Sequence, residues 1–190
     1  MTATVNIETG AELTYNEVHY HGLSGGIEVT PRAQVMVGKR ARYHADFSLV
    51  QGRVGKLYID YTVSVAELTS KVYGRASDVI RIREVVSLDG PRARGLVKSR
   101  VAVDDEASAE IVGVTYGNAA DVRGHVDCLE IVRGHAKAST VPEVHVTHPL
   151  AKVTHEAAIG SVDQKQLETL MARGLAPDEA VDRIILGMLG

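Results

Sequence analysis

The residues best placed for chemistry lie in the stretch VTHEAAIGSVDQKQLETLMARGL, from Val153 to Leu175. Adjacent His155 and Glu156 suggest the H-E-x-x-H helix, in which two histidines one turn apart hold zinc and the glutamate acts as base. The second histidine position is Ile159, and the surrounding residues alternate as a strand does, so that pattern is excluded. Side chains of a strand point to opposite faces in turn. His155 therefore shares a face with Ala151 and Val153, and Glu156 shares the other with Lys152 and Thr154. A single strand cannot present both residues to one ion. The plain reading is a hydrogen-bonded histidine near a strand end beside a solvated glutamate; the functional one is a ligand residue.

Cys128, in HVDCLEIV, is the only cysteine. It reads either as a buried, inert small residue or as a thiolate ligand for iron or zinc. One thiolate cannot hold a cluster that normally takes four, so a cluster here needs a second chain, or histidine and carboxylate ligands. His125, His135, His145, His148 and His155 crowd the same part of the chain. Strand parity puts His145 with Glu143 and Thr147, and Val144 with Val146 on the other face. His145 and His148 are the weaker metal candidates; with His155 they offer the remote alternative of a metal-dependent enzyme. No G-x-x-x-x-G-K-[ST] phosphate loop is present, Gly25-Gly26 reads as a turn, and no residue is assigned a catalytic role.

The elements that position these residues follow from composition. The chain has 190 residues, 45% of them apolar, with no Trp and one Phe. Its core is therefore built from Val, Ile, Leu and Ala, which suits a narrow, repetitive interior. Short alternating or β-branched segments such as GKLYIDYTVSV, VIRIREVVSL and ASAEIVGVTYG fill residues 1–160. A polar residue followed by Ala returns near the head of a strand, in EASAE, NAADV, HAKAS and LAKV among others, at steps of about 12 to 17 residues. Stacked strand-and-corner units give a β-helix; the competing architecture is a β-sandwich.

Residues 161–190 form a helical segment. Ser161 or Asp163 caps a helix starting near Gln164, with Leu167, Leu170 and Met171 as its stripe. Gly174 suits the left-handed residue after that helix, and Pro177, Asp178 and Glu179 open a second one. Ala180, Ile184, Ile185, Met188 and Leu189 make its apolar side, and the hairpin is expected to pack on the β body.

The net charge of −3 gives no reason to expect non-specific nucleic-acid binding. The lone cysteine suits a reducing, cytoplasmic setting. The N-terminal residues do not read as a signal peptide, and no apolar run reaches membrane-spanning length.

The C-terminal half, VPEVHVTHPLAKVTHEAAIGSVDQKQLETLMARGLAPDEAVDRIILGML, resembles the core of the SufB/SufD family of iron–sulfur cluster assembly proteins. The resemblance rests on His155, Glu156, Ala157, Gly160, Leu170, Arg173-Gly174-Leu175, Glu179-Ala180, Ile184 and Gly187, with Pro142 at a T-x-P corner. It runs from about Gly90 to Leu189; the residues before Gly90 match in style alone. It marks a short, divergent member, with Ala158 where the family motif has threonine.

The resemblance implies a right-handed parallel β-helix with a C-terminal helical hairpin. It also implies a scaffold for a transient Fe–S cluster at a shared interface of paired β-helices. The pair would be a homodimer, or a heterodimer with a SufB- or SufD-like chain. A SufC-like ABC-type ATPase would dock on the helical segment, with Arg173, Asp178 and Glu179 on its polar side. His155 and Glu156 carry over as ligand candidates. Aligned on Pro142 and His155, the family's cysteine falls on Asp127, and Cys128 is its neighbour. A bulge could restore Cys128 to that face; otherwise the sulfur acceptor is absent. The alternative function is a structural or regulatory β-helix module that has lost the cluster site.

Overall fold

A computed structural model gives the fold. It describes the strand backbones at residues 2–7, 12–20, 28–29, 32–37, 42–51 and 56–63, the side chain of Leu13, and residues 67–189 in full. Gly25-Gly26 lies outside the described residues.

Thirteen strands precede two helices among the described residues. The first six are β1 (Thr2–Ile7), β2 (Glu12–Tyr20), β3 (Glu28–Val29), β4 (Arg32–Val37), β5 (Arg42–Gln51) and β6 (Lys56–Val63). Then come β7 (Glu67–Gly74), β8 (Val79–Leu88), β9 (Arg94–Val103), β10 (Ser108–Gly117) and β11 (Arg123–Val132). The last two strands are β12 (Lys137–Val146) and β13 (Lys152–Gly160), followed by helices α1 (Gln164–Ala172) and α2 (Pro177–Leu189).

Every strand pairing among the described residues is parallel. One sheet runs β1-β4-β6-β8-β10-β12, with β3 beside β6, and the other runs β13-β11-β9-β7-β5-β2. With β3 and β4, which both pair with β6, counted as one interrupted strand, the chain alternates between two facing sheets, one strand in each per coil. This is the expected β-helix, and the sandwich reading falls.

The last three coils repeat without a break in register. Val79, Ser108 and Lys137 stand side by side, as do Arg94, Arg123 and Lys152. The coil step is 29 residues, the separation that recurs in the side-chain ladder Asp89–Asn118–Thr147. The shorter steps seen in sequence are half-coils, one strand plus one corner.

Corners repeat with the same period. Ala76, Asp105 and Gly134 have φ of 55°, 60° and 65°, and the first two each accept a backbone bond from the next coil. Glu106 N donates to Ala76 O at 2.9 Å and His135 N to Asp105 O at 2.7 Å. Left-handed backbone at Ala costs on the order of 1 kcal/mol, and stacking on the corner above offsets it.

Inward residues of β7–β11 make the core. Leu68, Val72, Ile80, Ile82, Leu88, Val101 and Ile111 are all 2% exposed or less. Each such aliphatic side chain contributes about 1.5–3 kcal/mol by leaving water. Each coil's inward layer is covered by its neighbour, so the last coil has no cover on one side. Val144 and Val146 share the inward parity of buried Ile111 yet are 42% and 48% exposed, and Ile159 is 54% exposed. Pro142 lies inside edge strand β12, where its missing N–H costs no ladder bond, and not at a corner.

The helical hairpin has the expected caps. Asp163 Oδ1 accepts from Gln166 N at 2.7 Å. Gly174 takes φ of 97° and donates to Met171 O. Only α2 docks, however. Its Val181, Ile185 and Leu189 pack on Tyr73, Ala102 and Ile131, which are register neighbours on the outer face of the second sheet. The expected packing of Leu167, Leu170 and Met171 on the body is corrected: α1 buries no residue and Met171 is exposed. The turn at Gly174 folds α1 back along α2, so its stripe meets that helix and the edge of its cluster instead of a sheet.

Ion pairs fasten α2 at the corner stack. Arg75 pairs with Asp182, and its guanidinium lies 4.4 Å above the Tyr73 ring. Arg133 bridges Asp104 at 2.9 Å and Asp178 at 2.8 Å.

Candidate functional site

The candidate ligands lie on the last two strands of the second sheet, and the register divides them between its faces. Asp127 pairs with Glu156 and Cys128 with Ala157, while His155 pairs with Val126. Val126 is a core residue, so Cys128 and His155 face the interior, and Asp127 and Glu156 face outward. Register is continuous from β9 through β11 to β13, with no bulge to move Cys128 across. A step of one residue reverses the face.

On the outer face, Asp127 and Glu156 are two carboxylates on neighbouring strands, an arrangement that is unfavourable without positive charge nearby. Arg100 supplies that charge from β9. It pairs with Asp127, and this bond holds the carboxyl below its ordinary range. Beside them His125 Nδ1 shares a 2.9 Å hydrogen bond with Thr154 Oγ1. Glu156 is exposed. Oxygen donors and an imidazole on an open face suit a cation arriving from solvent or from a facing surface.

The inner face is different. Cys128 is buried, and burial, reinforced by the charges of Glu130 and Glu84, pushes its thiol up to about 12. Within the closed solenoid it is a protonated thiol, a poor nucleophile and a poor ligand until that proton is displaced. His155 is partly buried, and its Nε2 is enclosed without a hydrogen-bond partner.

Two inward glutamates escaped the sequence reading. Glu84 on β8 is 0% exposed and accepts from Ser70 Oγ at 2.5 Å and Ser99 Oγ at 2.7 Å. Ser70, Ser99 and Cys128 form one file down adjacent strands. Glu130 is also 0% exposed, and neither of its carboxylate oxygens has a hydrogen-bond partner. Strand parity held the signal. Glu84 interrupts the inward set Ile80, Ile82, Val86 and Leu88, and Glu130 follows Val126 and Cys128 on theirs.

The other candidates scatter. His145 stacks on Tyr116 with ring centroids 4.8 Å apart and lies 3.7 Å from Glu143. His148 Nδ1 accepts from Leu150 N at 3.2 Å, which ties it to its own turn. Neither joins His155. Among the described residues no three His, Cys, Asp or Glu side chains are arranged to hold a metal ion. On the hairpin, Asp178 is engaged by Arg133, and Glu179 Oε2 accepts from Ala176 N at 3.1 Å. Arg173 is the C-cap of α1 and is exposed. A groove of about 950 Å³ lies beside the docked hairpin, lined by Leu129, Glu130, Ile131, Gly160, Leu170 and Met188 among others. No described helix is long and apolar enough to cross a membrane.

Comparison with known proteins extends the resemblance beyond the C-terminal half. Residues 2–188 match the family described as SUF system FeS cluster assembly, SufBD core domain. An iron–sulfur cluster assembly SufBD family protein of Methanocaldococcus jannaschii is 42% identical, covering 100% of this chain and 62% of that protein. One from Pyrococcus horikoshii is 38% identical over 98% of this chain and 58% of its own length. The iron–sulfur cluster assembly protein SufB of Bacillus subtilis is 28% identical over 40% of this chain. The chain thus spans about three-fifths of the length of the first two of these relatives. With the match running through nearly every coil and both helices, the chain belongs to the SufBD core family of iron–sulfur cluster assembly proteins.

Proposed function

We propose that this chain is a scaffold on which iron and sulfide are assembled into a cluster that is then passed on, with no catalytic turnover of its own. The observation that carries this reading is the in-register pair Asp127–Glu156 on the last strands, with His125 beside it, backed across the same sheet by Cys128 and His155. Iron accepts oxygen, nitrogen and sulfur donors, and these strands carry all three. They also lie at the uncovered end of the solenoid, where Val144, Val146 and Ile159 are exposed. A second β-helix, from another copy or from a SufB- or SufD-like chain, would cover that end and remove the unpaired edges of β12 and β13. The assembled cluster would then sit at a shared interface in the cytoplasm.

The helical segment is the surface offered to a SufC-like ABC-type ATPase. Arg173 and Glu179 lie on its polar side. Asp178 reports on docking through Arg133, so a partner that engages Asp178 loosens α2 from the corner stack. Movement of α2 reaches Tyr73, Ala102 and Ile131 directly, and Ile131 lies on the strand that carries Cys128.

One observation favours a second reading, a structural or regulatory β-helix module. The thiol is inward and protonated, and the outward place opposite Glu156 holds Asp127.

Anaerobic reconstitution with iron and sulfide separates the two, read by visible absorption and iron counting. Wild type is expected to take up about one cluster per dimer, and Glu156→Ala or Cys128→Ser to abolish or sharply reduce it. A wild-type protein without iron, or variants that match wild type, would replace the scaffold by the module.

A further inference from the structure

The interior polar groups nearest the uncovered end form a set that neither ligand pair absorbs. Glu130 and Cys128 both point inward from β11, one pleat apart. Their register neighbours on β13 are Ile159 and Ala157, both exposed. One strand spacing, about 4.8 Å, therefore separates the pair from the exposed layer. From the facing sheet, the Thr140 hydroxyl on β12 lies near enough to Glu130 to favour its ionised form. Neither Thr140 Oγ1 nor either oxygen of Glu130 completes a hydrogen bond.

A fully buried carboxylate without a donor is a large uncompensated cost unless it is neutralised by a proton or a cation. Arg100, the nearby base that acts on Glu130, sits on the outer face and is already paired with Asp127. The Thr140 hydroxyl and the local backbone approach the carboxylate, but neither of its oxygens completes a hydrogen bond. The thiol beside it cannot help while protonated, but a divalent cation displaces that proton and makes the thiolate a ligand.

We propose that Glu130, Cys128 and Thr140 form an interior site for a single borderline-soft divalent cation, entered from the uncovered end of the solenoid. Carboxylate and thiolate supply two charges, the Thr140 hydroxyl a third donor, and solvent or sulfide the remaining positions. The thiol proton is released to the buffer as the sulfur–metal bond forms, and so is the proton that burial leads the Glu130 carboxyl to hold. A carboxylate–thiolate set suits Fe2+, Co2+ or Zn2+ better than Mg2+ or Ca2+. This inference deepens the scaffold reading and rests on it for the identity of the physiological ion, Fe2+. It adds Glu130 and Thr140 as ligands and places one iron-entry point inside the last two coils, apart from the outward Asp127–Glu156 pair.

The test is anaerobic titration with Co2+ alone, without sulfide, on the whole chain, followed by near-ultraviolet thiolate-to-metal absorption and by calorimetry. Wild type is expected to bind one Co2+ per chain with that absorption and with release of about one to two protons, one from the thiol and the other from Glu130 to the extent that it is protonated. Cys128→Ser should lose the absorption, and Glu130→Gln should weaken binding at least about tenfold. Thr140→Val should weaken it less, with circular dichroism unchanged throughout. Glu130→Asp, which keeps the charge but withdraws it by one methylene, provides a second variant if the amide fails to fold, and it too should weaken binding. The inference is overturned if wild type binds no Co2+, if folded Glu130→Gln or Glu130→Asp binds as tightly as wild type, or if Glu156→Ala removes the absorption instead. Cluster reconstitution on Glu130→Gln separates the two ideas. A normal cluster on a variant that no longer binds Co2+ preserves the scaffold and removes this site as its entry point. Co2+ binding at Cys128 and Glu130 in a chain that holds no cluster leaves the site standing without the scaffold.

Discussion

Glu84 and Glu130 are both inward-facing, fully buried carboxyls, one on each sheet of the same solenoid, and their surroundings are opposite. Glu84 sits among complete coils and has a serine hydroxyl on each oxygen. Glu130 lies next to the last coil and has none. A polar group enclosed in the middle of a repeat belongs to the stability of the fold, because removing it orphans the groups that satisfy it. A polar group enclosed near the end and left unsatisfied costs stability, and a bound proton or cation would offset that cost. The coil itself is alike at both places; only the supply of donors differs.

The largest test of that contrast is Glu84→Ala. It strands two buried hydroxyls and leaves a cavity, and should cost about 3–5 kcal/mol, read as a shift of the urea midpoint. Glu130→Leu should go the other way, with neutral to about 1–2 kcal/mol of stabilisation, because an unpaired buried carboxyl is exchanged for an apolar chain of similar volume. Equal destabilisation by the two changes would erase the distinction.

The pH dependence sharpens it. Burial raises both carboxyls above their ordinary range, opposed at Glu84 by Ser70 and Ser99 and at Glu130 by Thr140 and Arg100. A carboxyl whose folded value is raised binds its proton more tightly in the folded state. Its contribution is complete below the unfolded value of about 4.3 and is lost as pH rises through the folded value. Urea midpoints of wild type should therefore carry a component that falls as pH rises above about 4.3, and Glu130→Leu should remove its share. A midpoint that rises for both proteins by the same amount would show that neither carboxyl is held protonated.

Thiol labelling gives a smaller readout of the same interior. With its value near 12, Cys128 should react slowly with iodoacetamide in the folded protein at pH 8 and at the rate of a free thiol in urea. Glu130→Gln, which removes the second-largest cause of that rise, should speed folded-state labelling several-fold; no change would mean that Glu130 does not act on the thiol. The smallest effect is expected at Arg133→Ala. Its pairs with Asp104 and Asp178 are partly exposed, so about 0.5–1 kcal/mol is at stake. Hydrogen exchange should localise that loss to α2, and a loss spread over β7–β11 would contradict the hairpin's separate attachment.

Much of this molecule was legible because β-helices write their period into the chain. The absence of Trp, the single Phe and the recurring polar-Ala heads pointed to a narrow repeat, and Asp163, Gly174 and Pro177 marked both helices. The 29-residue coil was visible only as its half-steps, since each coil holds two strands of similar pattern. His155 and Glu156 were correctly placed on opposite faces from parity alone. The same parity applied to VIRIREVVSL and HVDCLEIV would have put Glu84 and Glu130 inside. They were passed over because a glutamate in a strand is ordinarily read as solvent-facing.

The sequence by itself favoured a β-helix over a sandwich and determined the helical tail and the alternation that separates Asp127 from Cys128, because these depend on local propensity and on the two-residue period of a strand; the family was legible from the motif around His155-Glu156 and Arg173-Gly174-Leu175. Only the tertiary structure decided which face was the interior, that Glu84 is satisfied and Glu130 is not, and that α2 docks while α1 does not. Those outcomes depend on side chains 14 or 15 residues away for Glu84 and up to 109 residues away for α2. No local pattern carries that information, because strand register and the stacking of coils are set by which neighbours the whole chain brings together.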